Sequence, residues 1–469
     1  GTFVQAGALQ ITTTESGALG TGPVSVLPGA ALRIAGNGSL GGVTTLNLNS
    51  QINSLSAIVL DNDYNPGTGL NSIIKTSGGF GAVLQLAVPE WNTALNMANI
   101  GDGTWFLGGY GATEIQYVAP TLGVGAGNIY RIGANTGPSL AFTGSDNVLG
   151  SASGATTARV MVGSLLGNVN GITAGSGSVI FRNSNDYTGG TSIYRGSSVT
   201  LDTGSTSTPL GTGTVEVYGS LALGGPGGLN SPSFYNSILN ANSNLIQLRP
   251  GGTLTIQDQL GSVADGQGRW ADATGQNING GTFRFLGIGN AQSYELVGTL
   301  TVDKGSAVTV ARAAGSGSAT LQTSALSRGT YGTLVLNASA VTGSGLFALS
   351  TFGTPNFVTS VGQTTASTTV TVASTAGMNP GMPISGAGIP ANATIVSVTN
   401  GTTLVISAAA VVGSGFITVG TSPTSFDRFI VNSGITLGGA TSIGSGVTAG
   451  IATAGLAPVW IVDQSTHNY

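Results

Sequence analysis

The chain has 469 residues, of which 6% are charged and 79 are glycine, and its formal net charge is −4. A globular protein ordinarily carries roughly 25% charged residues, while disorder requires low hydrophobicity and high charge, and 40% of this chain is hydrophobic. Composition therefore excludes a disordered polymer, and the thin negative charge with no basic patch excludes nucleic acid and anionic lipid as natural partners.

There are no cysteines, so stability rests on packing and backbone hydrogen bonds. Gly, Ser, Thr and Asn are poor helix formers, which predicts almost no helix. Apolar runs such as ISAAAVV from Ile406 are far shorter than the roughly 20 residues of a membrane span. The chain starts at Gly1 with no leader, so any secretion signal is expected to lie outside it, as part of a longer product.

In chain order, the first text is GTFVQAGALQITTTESGALGTGPVSVLPGAALRI from Gly1. The loop DNDYNPGTGLNS from Asp61 follows, with oxygens at Asp61, Asp63 and Asn65 spaced like the first half of a calcium loop. Pro66 stands where that loop has glycine, and Ser72 where it has glutamate. Two readings stay open: a weak Ca2+ site, and a corner in which Asp and Asn cap their own backbone. Trp91 precedes GDGTWFLGG and Trp105 lies within it; they suit either a sugar-stacking surface or aromatic plugs packed under an irregular loop. GVGAGN at Gly123 lacks the strand, helix and lysine of a phosphate loop.

From Asn185 the chain reads NDYTGGTSIYRGSSVTLDTGSTSTPLGTGTVEVYGSLALGG. Short strands alternating apolar with polar residues are predicted at 198–201, 214–217, 253–256, 283–285, 299–302 and 333–336, each meeting Gly, Asn or Asp. The segments from Gly1 and Gly190 match: Gly7 with Gly196, Leu19-Gly20-Thr21-Gly22 with Leu210-Gly211-Thr212-Gly213, and Val24 and Val26 with Val215 and Val217. A repeat of about 20 residues cannot bury its apolar face alone, so its copies stack. The fold class predicted is all-β, a parallel β-solenoid with Val199, Leu201, Val215 and Val217 pointing inward. Coils of about 20 to 25 residues rising about 4.8 Å each would make a rod on the order of 80 to 90 Å long.

Residues 357–421 break the pattern with longer strands, an Asn-Gly-Thr turn at Asn400 and most of the later prolines. They are predicted to form a small antiparallel β-sandwich inserted at a corner, with solenoid text returning afterwards. The predicted organisation is thus 1–356 solenoid, 357–421 inserted module and 422–469 return to the solenoid.

The motif around Asn185 resembles the autotransporter-associated β-strand repeat, through Asn185, Tyr187, Thr188, Gly189, Gly190, Thr191, Gly196, Leu210, Gly211 and Gly213. Gly1 to Leu32 is similar to a second copy lacking the leading Asn-x-Tyr-Thr-Gly. The phrases at Gly101, Glu295 and Gly455 are similar to text that accompanies such repeats in very long bacterial surface proteins. The resemblance implies a right-handed parallel β-helix and an extracellular or cell-surface location.

Catalytic signals are sparse. Glycoside hydrolysis needs two carboxylates held together, and the 17 acids are scattered; Asp186 with Asp202, and Asp258 with Asp272, come nearest to one coil of separation. His467, the only histidine, has no recognisable triad or zinc partner. The expectation is a non-enzymatic structural or adhesive protein with no cofactor beyond the weak Ca2+ candidate, polymerising through its solenoid ends. A β-helix that binds or degrades carbohydrate, and a free passenger adhesin contacting a surface glycan or neighbouring cell, are the rival expectations.

Overall fold

A computed structural model describes residues 1–469 apart from 14, 52–53, 72, 77–80, 135–136, 138, 164–176, 203–207, 225–245, 259–269, 271–274, 289–291, 313–317, 330, 341–357, 374, 376–377, 379–383, 387, 420–427, 432–434, 438–440, 443–460 and 464–469. The chain divides into two compact units. One is Gly1–Gln259 with Arg269–Ala271 and Ile278–Arg284; the other is Leu260–Gly268, Asp272–Asn277 and Phe285–Tyr469.

The first unit is a parallel β-solenoid. Its long ladder runs from Ala8–Ile11 through Ala31–Ile34, Ala57–Leu60 and Val83–Leu86 to Val215–Val217 and Ile246–Leu248, every described pairing parallel. Alternate strand residues face opposite sides, and the register places like on like. Leu9, Leu32, Ile58 and Leu84 form one inward column, and Ile11, Ile34, Leu60 and Leu86 form the next. Each fully buried rung of this kind contributes about 1.5–3 kcal/mol.

A second ladder begins at Glu90–Trp91 and continues through Ile115–Tyr117, Leu140–Phe142, Ser178–Phe181, Ser198–Leu201 and Ser220–Leu223 to Thr253–Gln257. Its inward column starts with four aromatic residues, Trp91, Tyr117, Phe142 and Phe181, before turning aliphatic at Leu201 and Leu223. Ring centroids are 5.7 Å apart between Tyr117 and Phe142 and 5.5 Å between Phe142 and Phe181, within the range where aromatic pairs add to simple burial. A shorter ladder joins Thr2–Val4, Val24–Val26, Leu46–Leu48 and Ile74–Thr76. Val199, Leu201, Val215 and Val217 all face the core and are buried.

Ala57–Leu60, Val83–Leu86 and Phe106–Gly109 are buried on both faces, so polar residues are scarce in them; the exception is Gln85, whose Nε2 donates to the Ala134 carbonyl at 3.0 Å. A second apolar cluster, including Ala57, Val59, Val83 and Phe106, lies on the outward side. At its border the Arg33 guanidinium lies 4.9 Å from the centre of the Tyr110 ring.

The second unit also has a parallel part. Gln292–Asp303 pairs with Ser318–Arg328, and Gly305–Arg312 with Thr333–Ala340. The chain then builds a six-stranded antiparallel sheet in the order Ile384–Gly386, Gly413–Val419, Val358–Thr364, Thr369–Val372, Thr403–Ile406, Ile395–Asn400. Both outer strands contribute to one core with Val370, Leu404 and Ile417, and the Ile384 amide donates to the Ala393 carbonyl at 2.9 Å. The sheet therefore curls around its own apolar side. Past this module Arg428–Val431 pairs parallel with Ser318–Arg328, and Ile461–Asp463 with Thr333–Ala340. The chain leaves the parallel stack and comes back to it.

The protein is thus all-β, a parallel β-solenoid with a small antiparallel sheet. Among the described residues helix is confined to one α-turn, Gly67–Leu70, and three 3-10 turns.

Candidate functional site

The repeat motif forms a hydrogen-bonded polar arrangement in the first unit. Asn185 is fully buried. Its Oδ1 accepts from the Leu149 amide at 3.0 Å, and its Nδ2 donates to the Pro209 carbonyl at 2.9 Å. Leu149 belongs to the preceding coil and Pro209 to the following one, so a single carboxamide clasps three successive coils. The Thr208 hydroxyl donates to the Asn185 carbonyl at 2.9 Å, and the Asn185 amide donates to the Thr208 carbonyl at 3.0 Å.

Tyr187 is also fully buried, and its hydroxyl lies 2.6 Å from Thr191 Oγ1. Burial raises its pKa well above the ordinary tyrosine value, against the opposing pull of the Thr191 hydrogen bond. The Thr188 and Gly189 amides donate back one coil, to Thr156 and Ala158, and the Thr212 amide donates to the Tyr187 carbonyl. The glycines make room for these crossings. A Cβ on Gly211, where φ is +65°, would overlap the Tyr187 carbonyl oxygen, and one on Gly213 would overlap the Gly190 nitrogen. Gly190 and Gly196 also have positive φ. Asn185, Tyr187, Thr188, Gly189 and Gly190 thus lie on one corner with Leu210, Gly211 and Gly213 stacked on it from the next coil, whereas Thr191 opens the strand Thr191–Ile193 and Gly196 sits at the next corner, before Ser198–Leu201; Asn185, Tyr187 and Leu210 are buried.

Asp61, Asp63 and Asn65 sit at a corner just before the turn Gly67–Leu70. Asp61 forms an ion pair with Arg33 of the preceding coil at 2.5 Å and accepts from Gln10. Asp63 accepts from the amides of Asn92 and Thr93, further along the sequence, at 2.8 and 3.0 Å. Asn65 Oδ1 accepts from the Gly67 amide at 2.9 Å, a turn of the Asx kind. The two carboxylates are directed to opposite neighbours. Among the described residues no group of three or more His, Cys, Asp or Glu side chains gathers as a metal site.

The carboxylates separated by about one coil hold partners of their own. Asp186 accepts from the Ser151 amide at 2.8 Å, and Asp202 pairs with Arg182 at 2.9 Å. Asp258 is buried; Asp272 and His467 lie outside the described residues. Arg182 also pairs with Glu114 at 2.6 Å, and the Glu114 hydrogen bond is the main reason its pKa is raised, with burial opposing. Glu216 and Arg249 form a further outer pair at 2.6 Å. Acids that look isolated in the sequence are thus tied across coils, and the signal that could have revealed them is the register of positions at the strand ends, where Asp61, Glu114, Arg182, Asp202 and Arg249 each sit one residue outside a strand.

Both tryptophans are buried. Trp91 is the first rung of the aromatic column, with its Nε1 donating to the Thr93 carbonyl at 2.6 Å. Trp105 packs its indole directly over Gly101. Neither ring presents a face on which a sugar could stack.

Leu9 heads a column whose next three members are fully buried, yet it is itself only partly buried, and Ala8 is exposed. Phe3, on the outward side of the same coil, is 68% exposed. Thr2–Val4 and Ala8–Ile11 are each the first strand of their ladder. No family model matches the chain, and neither a curated protein nor a solved structure matches it.

Proposed function

We propose that the protein is an extracellular structural or adhesive β-solenoid, a segment of a surface fibre, coat or filament whose copies associate through their solenoid ends. The observation that supports this reading is the parallel stacking itself, in which columns such as Leu9, Leu32, Ile58 and Leu84 pair apolar residue with apolar residue from coil to coil, a register that a further copy could continue. A second copy adding parallel strands to an end of the stack would extend these columns, as β-augmentation does. The low charge of the chain leaves little like-charge repulsion between stacked copies.

The test is sedimentation and electron microscopy of the protein across a range of concentrations. The reading expects concentration-dependent end-to-end association, with hydrogen-exchange protection of the interior ladders unchanged. A stable monomer at high concentration, with no fibres, would overturn it.

A second reading is favoured by the antiparallel module, on which Val396, Val411 and Val412 are exposed. In that reading the module is the contact of an adhesin with a neighbouring surface. Deleting residues 358–419 should then abolish attachment while the parallel ladders stay protected; retained attachment would reject it.

A further inference from the structure

We propose that Asn400 is a built-in deamidation site, converting the tip of one hairpin of the antiparallel module from neutral to anionic as the protein ages. The sequence contains four Asn-Gly pairs, at Asn37, Asn170, Asn279 and Asn400. Asn170 lies outside the described residues. Asn37–Gly38 lies inside the 3-10 turn Asn37–Leu40. At Asn279–Gly280 the glycine is required by its backbone, with φ at +74°. Gly401 differs. Its φ is outside the left-handed region, and a Cβ built on it would meet nothing within 4 Å. Neither space nor backbone geometry explains the glycine, and what it does provide is an unshielded backbone nitrogen next to an asparagine side chain.

The surroundings of that side chain suit the reaction. Asn400 and Gly401 are both exposed. Asn400 Oδ1 accepts from the Thr402 amide at 2.9 Å and from the Thr402 hydroxyl at 3.2 Å. Two donors on one carbonyl oxygen withdraw electrons from Cγ and stabilise negative charge that develops on Oδ1, in the manner of an oxyanion hole. The residue is anchored behind, where the Thr375 hydroxyl donates to the Asn400 carbonyl at 2.7 Å and the Thr375 amide to the Gly401 carbonyl at 2.9 Å. A register irregularity between Val398 and Asn400 loosens the ladder just before it.

In the step itself the Gly401 nitrogen gives up its proton to solvent and attacks Asn400 Cγ, forming the new C–N bond. The bond between Cγ and Nδ2 then breaks, and Nδ2 leaves as ammonia, producing a succinimide. Water opens that ring at either carbonyl, leaving an aspartyl or a β-aspartyl residue with one new carboxylate. No charged residue occurs between Arg328 and Asp427, so this carboxylate would be the only charge in the module's sequence. The β-linked product also inserts a methylene into the backbone at the turn.

The test is incubation of the 469-residue chain at mildly alkaline pH, followed by peptide mass spectrometry and enzymatic methylation of β-aspartyl residues. The same measurement on a free peptide of sequence SVTNGTTL sets the intrinsic rate. Asn400 in the folded protein should deamidate at least as fast as in the peptide and several-fold faster than Asn279. Thr402→Val, which keeps the amide donor and removes the hydroxyl, should slow it several-fold. Gly401→Ala, which the open space around Gly401 accommodates, should suppress it with the module still folded by hydrogen exchange. Folded-state deamidation several-fold slower than the peptide, or a rate indifferent to Thr402→Val, would overturn the proposal.

Discussion

Asn185→Ala is the most direct probe of the coil clasp. The substitution removes the acceptor of the Leu149 amide and the donor to the Pro209 carbonyl, both at sites buried from water. A buried backbone group left without a partner costs about 1–3 kcal/mol, so two of them give about 2–6 kcal/mol. The loss should be local, because a stacked repeat contacts mainly its neighbours. Hydrogen exchange of the Thr188, Gly189 and Thr212 amides reads it, since these keep their own carbonyl partners on adjacent coils. Even the lower bound of about 2 kcal/mol corresponds to about 30-fold faster exchange where opening is the limiting equilibrium. Amides of Ala31–Ile34, several coils away, should be unaffected. Exchange within a few-fold of the unsubstituted protein at all three amides would refute the claim that Asn185 holds the coils together.

Other perturbations have equally definite outcomes. Gly211→Ala, which forces a side chain into the left-handed region and against the Tyr187 carbonyl, should destabilise the same coils by about 1–3 kcal/mol or more, read by chemical denaturation. Tyr117, Tyr130 and Tyr187 all have pKa values raised by burial, so the unfolded state loses these protons first as pH rises. Stability should be independent of these groups below about pH 10 and should fall above it; tyrosinate absorbance should appear together with unfolding, and its appearance in the folded protein would contradict the assignment. Because Asp61 and Asp63 already accept protein donors, millimolar Ca2+ or a chelator should leave the melting temperature unchanged; a calcium-dependent rise would reinstate the loop as a site. Glu114→Gln should cost less than about 1 kcal/mol and lose its effect in high salt. Arg182→Met should cost more, since it leaves Asp202, whose side chain is 8% exposed, without its cation.

Much of the fold could be read directly. Ser198–Leu201 is a strand over its predicted span, and Thr253–Gln257 and Thr333–Ala340 begin at their predicted first residues, because alternation and flanking glycines carry the same information as the pleat. The antiparallel strands between Val358 and Val419 were signalled by strand length and turn chemistry. The aromatic column was not: Trp91, Tyr117, Phe142 and Phe181 occupy equivalent rungs, but coils of unequal length separate them, so no fixed period aligns them. The ion pairs were hidden for a related reason, since Arg182 and Glu114 meet although 68 residues apart. The clasp by Asn185 was legible as a motif and illegible as a mechanism, because the groups it binds are backbone atoms that any sequence supplies.

The ladders tolerate very unequal lengths of sequence between their rungs. Val179 pairs with Val199 after a short coil that includes the strand Thr191–Ile193, Leu221 pairs with Leu254 across a longer stretch of sequence, and Thr320 pairs with Arg428 across an entire antiparallel module. The stacking interaction is the same in all three cases, because it depends on which residues face inward and is indifferent to how many residues lie between them. Loop-closure entropy grows only logarithmically with that length. Corners of this solenoid are therefore permissive attachment points, where cargo of almost any size can be spliced in without altering the scaffold that carries it.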